Sequence, residues 1–281
     1  VTKPIYNLNF IFSVIINFFE ILICCGVLVF ISKKEDPTIN SRQIILLLVL
    51  LLIVQILKFN FKTISPLPII VPPTLIISQG IGTLTALSWV SIAFINWPNS
   101  PTGMNEYLLL ITFVSSCIVA ILGGKIRSRA QLLQVSISVP LGAFIGQCLF
   151  IGIDKNDLYN FNLQNLILKQ GNIISDSFLL ATLMLLAIIL MPILESIFGL
   201  VTKARLLELA DQEKPLLRRL SVEAPGTFEH TLLLCGLAEE ATRMIGGNVD
   251  LVRTGALYHD IGKLHAPNWF IENQNGSNNP H

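Results

Sequence analysis

Charge is scarce in this chain. Only 13% of its 281 residues are Asp, Glu, Lys or Arg, against about 25% in an average soluble protein. The few charges nearly cancel, to a net of +1. The basic surplus usual in nucleic-acid-binding proteins is missing, so no nucleic-acid polymer is expected as a partner. No C-x-x-C pair occurs among the five cysteines, which removes zinc ribbons and thioredoxin-type redox chemistry. Cys24, Cys25, Cys117, Cys148 and Cys235 are expected to be buried free thiols. There is no G-x-x-x-x-G-K-[ST] loop, no H-E-x-x-H and no dinucleotide fingerprint. Collagen-like, disulfide-rich and intrinsically disordered classes are excluded by the same composition.

What the chain does have is apolar residues: 52% of the total, with a mean hydropathy of +0.67. Charges crowd into the residues after 200, so a membrane part is followed by a part polar enough for water. A spanning helix needs about 20 mostly apolar residues. Stretches 10–31, 44–61, 67–79, 81–97, 107–122, 132–153 and 177–200 qualify as candidates. The third is the weakest, being short and holding Pro68, Pro72 and Pro73. The count is seven, or six if 67–79 is re-entrant. The first stretch is too long for a signal-peptide core and reads as a span. Val1 and His281 both look like cuts or processing points.

Lys and Arg near span ends set the orientation. Lys33, Lys34 and Arg42, then Lys125, Arg127 and Arg129, then Lys203 and Arg205 fall on one side if there are seven spans. That side is the cytoplasm, which puts the N-terminus outside and the C-terminal part inside. Lys58 and Lys62 run against this pattern. Glu20 and Glu195 lie within apolar stretches, where an ionisable group is either a ligand or ion site or a paired carboxyl facing the bundle interior. Without a longer string of such groups, transport is disfavoured. Trp97 reads as an interface anchor, and Trp89 lies deeper in its span.

Beyond residue 200 the pattern changes. Residues 202–220 form a broken amphipathic helix interrupted by Pro215, either a solvated stalk or a signal-carrying linker. Ala224-Pro225-Gly226-Thr227 opens a second helix, to about Ile245, ended by Gly246 and Gly247. Asn248 is an N-cap for a third helix from Val249 to about Ile261, closed by Gly262. His230 sits early on the second helix; His259 and Asp260 sit late on the third. The short Gly-Gly connection favours antiparallel packing, which brings them together. Two metals about 3.5–4 Å apart serve phosphoester hydrolysis by activating water and neutralising phosphate. One Asp can bridge both ions, and neutral histidines supply further ligands. Cys235 is rotated to another face and is no ligand. Asn275-Gly276 reads as a turn.

The strings APGTFEHTLLLCGLAEEATRMIGG and LVRTGALYHDIGKLHAPNWFIENQ resemble the membrane-bound HD-domain phosphohydrolases, the seven-transmembrane HD family. LLELADQEKPLLRRLSVEAPGT looks like that family's membrane-exit linker. The resemblance implies an all-helical cytoplasmic HD domain with a dinuclear site of iron or manganese, and hydrolysis of cyclic di-AMP to the linear dinucleotide. It matches His230, His259 and Asp260 to metal ligands, and Lys263 to a lysine that contacts phosphate. It also implies further ligands beyond His281, so that residues 1–281 by themselves should not turn over. His281 is not assigned to metal, and His265 reads as a pocket-rim residue. With those further helices missing, Leu233, Leu237 and Leu257 are expected to lack packing partners.

The expected architecture is therefore an all-α polytopic bundle, residues 1–200, an amphipathic linker, 201–221, and the N-terminal part of an HD domain, 222–281. The expected function is a plasma-membrane, metal-dependent phosphodiesterase in which Asp260 and Lys263 are catalytic. Its expected partners are a cyclic dinucleotide and the bilayer, with oligomeric state open. The rivals are a receptor or scaffold whose HD part only binds nucleotide, and a transporter.

Overall fold

The computed structural model describes residues 6–60, 65–95, 106–153 and 163–274, with side chains described over 21–57, 65–94, 107–150 and 173–274. Every regular element among the described residues is helical, as expected. The chain divides into two compact units, Val1–Val201 and Thr202–His281.

The first unit contains α1 (Tyr6–Glu35), α2 (Ser41–Asn60), α3 (Leu67–Gly80), α4 (Thr83–Ile95), α5 (Glu106–Gly123), α6 (Arg129–Ile153) and α7 (Leu163–Phe198). Each overlaps one of the seven apolar stretches. Among the described residues, Arg129–Phe150 and Ile173–Phe198 are long and apolar enough to cross a bilayer; Ser41–Leu57, Leu67–Gly80, Thr83–Phe94 and Tyr107–Gly123 are apolar but shorter. The proline-bearing α3 is a continuous helix despite Pro72 and Pro73. It is buried on nearly every side, packed on α4, α5 and α7. Its neighbours, rather than its own backbone bonds, hold it helical. At 14 residues it rises only about 21 Å, less than the ~30 Å hydrocarbon core.

Polar contacts gather at one end of this unit. The Glu35 carboxylate, at the end of α1, accepts from Leu84 N at 2.9 Å and Thr85 N at 2.6 Å. It so supplies negative charge at the N-terminus of α4. Gln43, at the start of α2, donates to Gly199 O just beyond α7 at 3.0 Å. Arg129, at the start of α6, pairs with Glu195 near the end of α7 at 3.9 Å. Glu195 is thus a buried, paired carboxyl; the Glu20 side chain lies outside the described residues. Trp97 and Lys62 also lie outside them, whereas Trp89 is fully buried and donates to Leu47 O at 3.4 Å.

The surface of this unit is the reverse of a water-soluble protein. Phe30, Ile137, Phe178 and Ile189 are exposed, while Thr74, Ser78 and Ser116 are buried. Their hydroxyls bond carbonyls one turn back, Thr74 to Ile70 at 2.8 Å and Ser116 to Thr112 at 2.7 Å. Small polar residues between helices and apolar side chains facing outward are what lipid favours. None of the five cysteines is in a disulfide, but only Cys235 is buried; the other four are half-buried.

The second unit contains α8 (Lys203–Leu209), α9 (Pro215–Glu223), α10 (Pro225–Met244) and α11 (Val249–Tyr258), followed by three short 3-10 turns, Ile261–His265, Pro267–Trp269 and Ile271–Asn273. Thr202 caps α8, its hydroxyl accepting from Arg205 N at 3.2 Å. Pro215 does not merely interrupt a helix. It begins α9, where its missing N–H costs nothing. Gly246, at φ 68°, closes α10: Gly247 N bonds Thr242 O at 2.9 Å and Gly246 N bonds Arg243 O at 3.2 Å. Asn248 caps α11 through Leu251 N at 3.1 Å. A small core joins Ala210, Leu217, Cys235 and Leu257. Leu257 is 2% exposed, which corrects the expectation that it lacks a partner; Leu233 and Leu237 are exposed at 74% and 72%. The difference arises because α8 returns onto α11, with Thr254 Oγ1 donating to Leu206 O at 3.1 Å and the Tyr258 hydroxyl to Leu209 O at 2.9 Å.

Candidate metal centre

α10 and α11 pack antiparallel, as the Gly246-Gly247 turn dictates. Arg253 meets Glu239 at 3.3 Å, and nearer the far end the His230 and His259 rings stand 6.1 Å apart between centroids. His230 lies on the second turn of α10, and His259 directly follows α11. One ligand atom from each of His230, His259 and Asp260 falls within 4.8 Å of the others. Ligands about 2.1 Å from one tetrahedral ion stand about 3.4 Å apart, so side-chain movements of about 1 Å would close the set. The histidines are exposed and Asp260 is half-buried, which leaves the group open to solvent and solutes.

The third helix is shorter than expected. α11 ends at Tyr258 rather than near Ile261, and Gly262 does not have the positive φ of a left-handed cap. After His259 the chain tightens, with Lys263 N bonding Asp260 O at 3.0 Å. A 3-10 turn eclipses residues i and i+3, which sets Lys263 over Asp260.

His259 Nδ1 lies 2.7 Å from Ala256 O. A carbonyl only accepts, so Nδ1 donates to it and the bond turns Nε2 toward Asp260. Such a carbonyl behind a histidine is the usual orienting partner of a metal ligand. Nε2 in turn lies 3.3 Å from Asp260 Oδ2.

Lys263 Nζ stands 2.9 Å from Asp260 Oδ2 and 2.7 Å from Glu272 Oε1. Its hydrogen bond to Glu272, and secondarily to Asp260, raises the lysine pKa; the same bond lowers that of Glu272. Glu272 Oε1 also accepts from Thr227 Oγ1 at 3.1 Å. Thr227 and Asn273 exchange two bonds, Thr227 N to Asn273 Oδ1 at 3.0 Å and Asn273 Nδ2 to Thr227 Oγ1 at 2.9 Å. Glu272 and Asn273 escaped the sequence reading. They lie far along the chain from Thr227, and no local spacing announces the pairing. His265 is exposed and belongs to no metal-ligand cluster found among the described residues, and Cys235 is buried elsewhere, bonded to Glu239 at 3.5 Å. His281 and Asn275-Gly276 lie outside the described residues.

The family model described as "7TM receptor with intracellular HD hydrolase" matches residues 11–202, more than half of the chain, and the HD domain model matches residues 227–281. The chain belongs to the 7TM-HD family. A 7TM-HD chain of this kind is 34% identical to an uncharacterized protein of Synechocystis sp. over 279 residues, which is 93% of this chain and 31% of that protein. It is 35% identical to the cyclic-di-AMP phosphodiesterase PgpH of Bacillus subtilis over 192 residues, 64% of this chain and 25% of the relative. It is 46% identical to PgpH of Listeria monocytogenes over 97 residues, 34% of this chain and 14% of the relative. The chain therefore spans less than a third of the length of the curated relatives it matches. No solved structure matches it.

Proposed function

We propose that this 7TM-HD chain is the membrane bundle, linker and metal-binding start of a phosphodiesterase that opens cyclic di-AMP to the linear dinucleotide. The observation that carries the reading is the convergence of His230, His259 and Asp260, with Lys263 against Asp260. The two PgpH relatives supply the substrate. Residues 1–200 are the bundle, 201–221 the linker and 222–281 the HD part. In this reading the bundle has seven spans, with an external N-terminus and a cytoplasmic HD part in the plasma membrane; the outward apolar side chains support a bilayer setting and the basic loops support the orientation.

Divalent cations, manganese or iron and two in number, supply an activated water and neutralise phosphate charge when bound. His230 and His259 hold them as neutral nitrogen ligands, the second fixed in its tautomer by Ala256 O. Asp260 would hold them as the carboxylate ligand. Lys263 offers an N–H to a phosphate oxygen of the substrate and balances the charge that grows there. One phosphoester bond is exchanged for one bond to a water oxygen, which linearises the ring.

The test uses the full-length protein in detergent or nanodiscs, with manganese and cyclic di-AMP, and identifies the product by chromatography. Linear dinucleotide from the wild type is expected. Tight binding of cyclic di-AMP without any product would instead make the protein a nucleotide-binding receptor.

A further inference from the structure

We propose that Glu272 is a positioning residue: it holds the Lys263 ammonium, between two carboxylates, where an incoming phosphate needs it. This inference rests on the phosphodiesterase reading above.

A lysine ammonium is a point charge on a flexible stem. Left with Asp260 alone, it would be free to swing about that one carboxylate. In this structure it is drawn from the other side as well, by Glu272 Oε1 at 2.7 Å, and the Phe270 ring centroid lies 5.0 Å from Nζ. Two of its three N–H donors are used by carboxylates, and the third remains for a phosphate oxygen.

Glu272 can restrain Lys263 because it is itself restrained. The same Oε1 accepts from Thr227 Oγ1, and Thr227 is fully buried and doubly bonded to Asn273. Asn273 Nδ2 also reaches Pro267 O at 3.3 Å, tying the last 3-10 turn to the one before it. Gly226 allows this approach, since a Cβ there would run into the Glu272 carbonyl. Thr227 lies one turn before His230 on α10. A single helix turn therefore carries both a metal ligand and the anchor of Glu272, and the spacing from metal to phosphate-binding lysine is set by α10 itself.

The deciding experiment is a double-mutant cycle on the full-length manganese-loaded protein with Glu272→Gln, Lys263→Met and both together. The readouts are KM and kcat for cyclic di-AMP, the Kd of a non-hydrolysed phosphorothioate analogue, and bound manganese. Gln keeps the acceptor for Thr227 and removes only the charge. Hydrogen bonds to charged groups set the scale, so Glu272→Gln should weaken KM and analogue Kd about tenfold. Manganese content and kcat should stay near wild type. In the Lys263→Met background the same change should do almost nothing, since Glu272 acts through the lysine. Losses that multiply in the double variant would overturn the inference, as would a Glu272→Gln protein that binds the analogue like wild type. If the wild type hydrolyses nothing, the phosphodiesterase reading falls, while the analogue-binding cycle still decides the role of Glu272.

Discussion

His259 Nε2 and Asp260 Oδ2 stand 3.3 Å apart, with Nδ1 of the same ring 2.7 Å from Ala256 O. The contact turns the ring edge that can bind a metal toward the carboxylate. Lys263 reaches the same carboxylate oxygen at 2.9 Å. His230 completes the group from the neighbouring helix.

Ring orientation at His259 depends on the neighbour that receives its proton. His259→Gln keeps a side-chain donor and acceptor but loses the imidazole nitrogen. Manganese affinity of the full-length protein should fall by at least tenfold, measured by titration calorimetry, with the helix content by circular dichroism unchanged. Affinity equal to wild type would remove His259 from the ligand set.

The Lys263–Glu272 pair predicts a pH window. Glu272 is held below its ordinary 4.5, so what it contributes is full above that value and is lost as pH falls through the lowered one. Lys263 is held above its ordinary 10.5, so its contribution is full below that and is lost as pH rises through the raised value. The melting difference between wild type and Glu272→Gln should therefore be flat from about pH 5 to pH 10 and shrink at both extremes. Both groups are solvent-accessible, so high salt should reduce it as well. A difference that changes steadily through neutral pH would contradict this pairing.

Two glycines should respond with opposite signs to alanine. At Gly226 the new Cβ meets the Glu272 carbonyl, and overpacking of this kind costs about 1–3 kcal/mol. At Gly255, on the exposed side of α11, the Cβ meets nothing within 4 Å, and Gly→Ala in a helix contributes about 0.5–1 kcal/mol. Thermal melting of the two variants checks both signs. Equal effects would mean that the Glu272 turn does not pack against α10 as described.

Topology is open to direct chemistry. Ser128, in the exposed turn before α6, belongs to a basic loop and should face the cytoplasm. A single Ser128→Cys in a background with the five native cysteines replaced should resist an impermeant maleimide added to intact cells and react after lysis. Labelling from outside would overturn the seven-span arrangement.

The apolar stretches were legible because a helix that cannot hydrogen-bond to solvent must be apolar all round, and α4 and α5 are. The pairing of His230 with His259 was legible because Gly246-Gly247 forces a tight antiparallel return. The end of α11 was not, because Ile261 continues the apolar pattern while the Asp260–Lys263 contact takes the chain into a 3-10 turn. Burial of Leu257 was hidden for another reason. Its cover comes from Ala210, Leu217 and Cys235 on separate elements, and the Thr254 and Tyr258 bonds that draw α8 in end on backbone carbonyls, which carry no sequence signal. Glu272 and Asn273 were hidden in the same way, since their partner Thr227 lies on another element.

The most direct test of the account counts metal. Full-length wild type and Asp260→Ala are loaded with manganese, desalted and analysed by elemental mass spectrometry, with cyclic di-AMP hydrolysis assayed on the same samples. Removing Asp260 takes the carboxylate out of the His230–His259–Asp260 group and leaves two neutral nitrogen ligands. The account predicts near-complete loss of bound manganese and of linear product, with membrane insertion unaffected. An Asp260→Ala protein that retains its manganese and hydrolyses cyclic di-AMP at close to the wild-type rate would contradict it.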